Sequence, residues 1–236
     1  MTTFGKTLAV LAASAVGFAA TVAMAEPDQG SIARGGKLYD KWYKVIGVEA
    51  PAESHPLYPA SNEKYANDPA SNWRCKECHG WDGLGAAGAY KSGGHATGIK
   101  GIEGMAGAEP AAIVAVLTSA EHGYGDKLSE TDLNDLANFV AYGAVDWSLM
   151  INDDKSIKGD AAKGAQVYGT ICVNCHGVDG KQPKEMPPLG SLMGNPWEVA
   201  QKLLNGQPAE VMPALRALDR QVVADVLAHI ATLPAE

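Results

Sequence analysis

The chain is short of thiols, of basic charge and of long apolar runs. Its four cysteines all fall in two five-residue stretches, Cys75-Lys76-Glu77-Cys78-His79 and Cys172-Val173-Asn174-Cys175-His176. If both stretches are committed to one purpose, no thiol is left for a disulfide, a nucleophile or a further metal. Lys and Arg number 19 against 27 Asp and Glu, a formal net charge of −8. Such a balance disfavours nucleic acid and anionic membranes, and it favours a partner with a basic docking patch or simply keeps the chain in solution. Beyond residue 25 no stretch reaches the roughly eighteen apolar residues that a membrane helix needs.

Both cysteine stretches read C-x-x-C-H. A disulfide within either pair would close a very short loop and leave the following histidine unexplained. A four-cysteine zinc site joins its two C-x-x-C knuckles across about 15 to 20 residues, whereas Cys78 and Cys172 are far more widely separated. A thioredoxin-like redox pair needs a βαβ setting that the surroundings lack. The remaining reading is attachment of a c-type haem, with Cys75 and Cys78, then Cys172 and Cys175, as thioether positions and His79 and His176 as proximal iron ligands. Two motifs imply two covalently attached haem c groups.

Residues 1–25 hold one basic residue, Lys6, no acid, and an apolar run from Leu8 to Val22 that ends in Ala23-Met24-Ala25. This predicts a signal peptide cleaved after Ala25 and a periplasmic mature chain with no membrane insertion. Loss of Lys6 makes the mature chain one unit more negative. Its length suits two small domains, each using a haem as core that it could not otherwise build.

The mature sequence repeats one plan. Ala33-Arg34-Gly35-Gly36-Lys37-Leu38-Tyr39 and Ala162-Lys163-Gly164-Ala165-Gln166-Val167-Tyr168 share Gly-x-x-x-Tyr, a notch one helical turn from an aromatic, where a second helix can approach. Asp160 is a candidate N-cap. Each haem motif is followed by Gly-x-Asp-Gly, a turn off the helix. Pro110 and Pro196 each open a middle helix, over Ala111 to Ala120 and Trp197 to Leu204. Ser129 with Asp132 forms a capping box before Leu133, Leu136 and Val140, and Gly143 stops that helix. Asp219 caps the closing helix of the second repeat, whose apolar face is Val222, Val223, Val226, Leu227 and Ile230. Residues 144–159 read as a linker.

With its haem motif, glycine-aromatic first helix and amphipathic last helix occurring twice in one order, the chain resembles a diheme cytochrome made of two class I cytochrome c domains. The resemblance covers most of the mature chain and implies an all-α fold, with domains at 26–143 and 160–236. The repeats differ in one respect. Tyr168 stands four residues before Cys172 and Tyr39 stands 36 before Cys75, so the first repeat carries 32 extra residues, about 40–72. This aromatic loop insertion reads as a partner-docking surface, a haem lid or packing over the haem edge.

The distal ligands decide function, because electron carriers fill that position and catalytic haems leave it open. In the second repeat Met212-Pro213 matches the family's Met-Pro ligand position. Pro188 matches the proline whose carbonyl receives the proximal histidine N–H, and Met186 and Met193 compete with Met212. Pairing the closing helices without gaps, Ser129 with Asp219, sets His122-Gly123 on Met212-Pro213, which suggests two histidine ligands for the first haem. His95, Met105 and Met150 compete with His122. His229 aligns with Phe139 and reads as packing, and His55 reads as a surface residue of the insertion.

These expectations describe a periplasmic diheme electron carrier, with a His/His first haem and a His/Met second haem of higher potential. Two alternatives stay open. One is a cytochrome subunit of a periplasmic dehydrogenase complex, and the other is a small diheme oxidoreductase with an open first haem. A thiosulfate-oxidising diheme enzyme would need a cysteine ligand that the chain does not have to spare.

Overall fold

The computed structural model describes residue 1 and residues 28–236. Apart from Met1, the expected signal peptide and its cleavage point lie outside the described residues. Among those described there are helices and no strands, only two isolated bridges, Gly85 with Lys100 and Ile151 with Ile157. No described helix is long and apolar enough to cross a membrane. The helices are α1 (Gln29–Val45), α2 (Pro69–Asn72), α3 (Cys75–His79), α4 (Pro110–Leu117), α5 (Glu130–Tyr142), α6 (Ala161–Val167), α7 (Val173–His176), α8 (Pro196–Asn205) and α9 (Arg220–Ile230).

Local sequence sets most boundaries. Asp28, Asp160 and Asp219 each accept a backbone N–H from the first turn of the helix they cap. Ser129 and Asp132 form the reciprocal capping box of α5, and Pro110 and Pro196 open α4 and α8. The middle helix of the first repeat stops at Leu117, three residues short of the expected Ala120, because the chain turns at Thr118 and doubles back so that Tyr124 donates its N–H to the Leu117 carbonyl.

Two cores result. The first gathers Ile32, Leu38, Tyr39, Trp42, Trp73, Ile113, Leu136 and Phe139, and the second gathers Trp147, Met150, Leu204, Val223, Val226 and Leu227. In each, the helix with Gly-x-x-x-Tyr lies against the last helix, α1 on α5 and α6 on α9. A Cβ added to Gly35 would sit 2.0 Å from the Asp135 carbonyl oxygen, and one added to Gly164 would sit 1.9 Å from that of Asp225. Contact this close explains the glycines. Gly35→Ala is expected to lower stability by about 1–3 kcal/mol, the usual range for overpacking. Gly169→Ala, where nothing stands within 4 Å of the new methyl, is the neutral control, and urea denaturation of both variants measures the difference.

The extra residues of the first repeat are packed in part, while others such as Val48 and Leu57 are exposed. Trp42 and Tyr43 belong to α1 and are buried. The Trp42 indole donates to the Trp73 carbonyl at 3.0 Å, and the Tyr43 hydroxyl donates to the Ala70 carbonyl. His55, expected at the surface, is only 6% exposed. Its ring meets Trp73 edge-on at 4.4 Å, its Nε2–H donates to the His122 carbonyl at 3.1 Å, and its backbone N–H donates to Asn72 Oδ1 at 2.9 Å. A histidine whose polar atoms all find partners can be buried without penalty, which the Pro56 neighbour alone did not reveal. His229 packs as expected, half-buried and edge-on to Tyr168 at 4.9 Å, at the position where Phe139 meets Tyr39 with tilted rings at 5.2 Å in the first half.

Residues 144–159 are mostly exposed, but three side chains anchor the segment. Trp147, Met150 and Ile151 are buried in the second core, which takes Met150 out of the first core, where a ligand for the first motif would have to lie.

Candidate functional site

Both C-x-x-C-H stretches fold as short helical turns, α3 in full and α7 from Val173 onward, the latter following a wide π-helical turn over Tyr168–Cys172. One turn sets the two cysteines of a motif, three residues apart, on one side of the helix. Each turn is closed by a glycine with positive φ, Gly80 at 82° and Gly177 at 73°, a conformation that side chains resist. The carbonyl of that glycine is then fixed by the tyrosine of the Gly-x-x-x-Tyr stretch of the same half. Tyr39 donates to Gly80 at 2.6 Å and Tyr168 to Gly177 at 2.7 Å. Sequence spacing singled out both tyrosines but not this bond.

The four thiols are free, and among the described residues no three His, Cys, Asp or Glu side chains converge on a metal-sized point. Burial pushes the Cys75 thiol up to about 11 and the Cys78 thiol up to about 12, and it raises Cys172 as well. Neutral thiols of this kind are poor nucleophiles at pH 7.

His79 donates its Nδ1–H to the Lys100 carbonyl at 2.8 Å, which fixes the ring and leaves Nε2 as the available donor atom. Burial pushes this imidazole below its ordinary range, and nearby His122 pushes it the same way. His122 is half-buried, with its backbone held by His55 and by the Ser119 hydroxyl. His95 is engaged elsewhere. Its Nδ1 lies 2.6 Å from buried Glu77, its Nε2 lies 3.4 Å from the Tyr65 hydroxyl, and its ring is stacked between Tyr65 and Tyr90 at 5.0 and 4.8 Å. Both ring nitrogens thus have partners. Met105, in a turn after Ile102, packs half-buried on the first core.

In the second motif the His176 Nδ1 is buried and makes no hydrogen bond of ordinary geometry, although the Gln182 backbone lies near enough to oppose the downward pull of burial on this imidazole. The carbonyl of Pro188 does not meet it. That oxygen starts a short turn over Leu189–Gly194, accepting from the Ser191 backbone at 3.0 Å and its hydroxyl at 2.7 Å. Met186, Met193 and Met212 are all half-buried against the second core. The last of these lies on the segment between α8 and α9.

Several partners were not visible in the sequence. The Lys100 carbonyl is main chain and carries no side-chain signal. Glu77 pairs with its neighbour Lys76 at 2.5 Å, but its pairing with His95 at 2.6 Å required the chain to fold back on α3.

The donor set fits a covalently held haem. Each turn offers two unbridged thiols on one side and an adjacent imidazole, and in the first turn only Nε2 is left to bind iron. When bound, such a group supplies a one-electron iron couple.

Comparison with known proteins agrees over part of the chain. Residues 159–230 match the family model described as cytochrome c oxidase, cbb3-type, subunit III. No curated protein matches. Among solved structures, a chain of the Kuenenia stuttgartiensis reducing HAO-like protein complex is similar at 14% identity and a TM-score of 0.31, over 78% of this chain and 99% of that one. The chain therefore contains a cytochrome c domain at residues 159–230, a span that includes Cys172–His176, and such a domain implies covalently bound haem c.

Proposed function

We propose that the chain is a periplasmic diheme c-type cytochrome that carries electrons between redox proteins. The first domain, 26–143, holds one haem through Cys75, Cys78 and His79, with His122 as distal ligand. The second, 160–236, holds the other through Cys172, Cys175 and His176, with Met212 as distal ligand. The observation that carries this reading is the repetition of one local construction. In both halves a C-x-x-C-H turn ends in a positive-φ glycine whose carbonyl accepts from the tyrosine of that half's Gly-x-x-x-Tyr stretch. Unrelated turns have no reason to share all of these features.

The two sites are unequally covered. In the first motif Cys75 packs against the core that holds Trp42 and Trp73, and Lys76 and Glu77 between the cysteines are buried. In the second, Cys175 is exposed, and the flanking Val178 is 81% exposed. Exposed apolar groups beside a redox centre suit brief contact with a partner. The excess of acids suits a partner with a basic patch. Electrons would enter near the first domain and leave through the second, since methionine ligation raises a haem's potential relative to histidine.

Low-temperature EPR of the oxidised protein, with haem content measured as the pyridine haemochrome, tests the reading. Two haems per chain and two low-spin signals, one His/His and one His/Met, are expected. A substantial high-spin signal would sink the simple carrier and favour an oxidoreductase with an open first haem.

A further inference from the structure

The two halves meet at a few polar contacts, and these cluster around the first haem-attachment turn. One face of α8 belongs to the second core, through Val199, Ala200, Leu203 and Leu204. Its other face reaches the first half. Gln201 donates its Nε2–H to the Trp81 carbonyl at 2.8 Å, two residues after His79. From the segment between the halves, the Trp147 indole donates to the next carbonyl, Asp82, at 2.8 Å. On the opposite side of the turn, Lys202 pairs with Asp40, and Asp40 pairs in turn with Arg74, the residue before Cys75.

These contacts are buried. Asp40 is 3% exposed and Trp81 is 2% exposed. Burial opposes the Asp40 charge, yet the Lys202 and Arg74 cations prevail and hold its carboxyl below the ordinary range. Arg74, Lys76 and Lys202 all lie over the Trp81 ring, at 5.1–5.9 Å from its centre. Further along α8, Asn205 leaves no room for a side chain at Gly36, where a Cβ would stand 2.3 Å from it. Asn205 also accepts from Arg216 at 2.9 Å, and Arg216 donates to the Gly143 carbonyl, at the end of α5.

From this arrangement we propose that α8 is a strut holding the two C-x-x-C-H turns in one fixed relation, with Gln201, Lys202 and Trp147 as its positioning residues. The proposal rests on the diheme reading for its consequence, which is that an electron crosses within the chain at a set separation. Without such a clamp, domains joined by a small interface move relative to one another. Hydrogen bonds to carbonyls beside His79 grip the first half at its redox turn. Only a contact placed there couples the position of that turn directly to the second core.

The experiment uses the full mature, haem-loaded chain and the variant Trp147→Phe/Gln201→Leu/Lys202→Met, which removes three donors, nearly keeping side-chain volume at 201 and 202 and leaving a smaller ring at 147. Calorimetry is expected to give one cooperative transition for the native chain and two for the variant. Amide exchange of residues 80–84 should rise in the variant, and the dipolar coupling between the two oxidised irons should broaden from one narrow distribution. Lys202→Arg, measured beside Lys202→Met, should keep the native behaviour. If the triple variant fails to load haem, the single substitutions Gln201→Leu and Lys202→Met carry the same comparison. A variant that keeps one transition and native exchange overturns the strut, as does a native chain that melts in two independent steps. One haem per chain would sink the diheme reading instead, and the haemochrome ratio reports that separately from the calorimetric result.

Discussion

Replacing Cys172 and Cys175 together by serine is expected to halve the covalently bound haem and leave the first site loaded. Serine is close to cysteine in shape but forms no thioether, so the change removes attachment with little disturbance of packing. The second motif is the more exposed of the two, and the first core draws none of its buried residues from beyond Ala141. The first site should therefore still form. Mass spectrometry of the intact chain and the pyridine haemochrome measure the loss. The reciprocal Cys75→Ser/Cys78→Ser variant should retain the second haem alone. Its cost in stability should be larger, since Cys75 packs against the first core with Trp73 and Tyr124 nearby. Haem content that stays unchanged in either variant would show that the motif in question is not an attachment site.

The second large effect is expected at His122. Substitution by alanine should remove the His/His low-spin signal from the oxidised EPR spectrum and replace it with a high-spin one, while the His/Met signal persists. His122→Met should keep the first haem low-spin and raise its potential, narrowing the gap between the two sites. Axial identity and surroundings together tune haem potentials over roughly 0.8 V across proteins, so a redox titration resolves the change easily. His95→Ala is the discriminating control. Its ring is occupied by Glu77 and by two stacked tyrosines, so its removal should leave low-spin ligation intact while stripping buried Glu77 of one partner. A high-spin first haem in His95→Ala with an unaffected His122→Ala would reverse the assignment.

The same residues show how far a linear reading extends. Caps, helix starts and attachment turns were legible because they are local. A cap joins groups two or three residues apart, and C-x-x-C-H sets its donors on one helical turn. The glycine notches were legible as well, since Gly-x-x-x-Tyr occurs twice and each copy faces the last helix of its own half. Where the sequence reading departed from the structure, the deciding partner lay far along the chain. His55 is buried because Trp73 and the His122 carbonyl receive it. The Pro188 oxygen accepts from the Ser191 backbone and hydroxyl in the turn that follows it, a pairing the proline itself did not announce. The Lys100 carbonyl that orients His79 could not have been named from any side chain.

The sequence by itself determined an all-α chain with two haem-type turns, the helices that frame them and the amphipathic faces that bury them, because these depend on spacing of a few residues and on helical periodicity. Only the tertiary structure decided which ring nitrogens are occupied, that His55 is buried against Trp73, and that Gln201 of α8 bonds to the Trp81 carbonyl beside the first turn. Those outcomes depend on hydrogen bonds and close packing between residues up to 162 positions apart, as for Lys202 with Asp40, and pairings of that range leave no periodic trace along the chain.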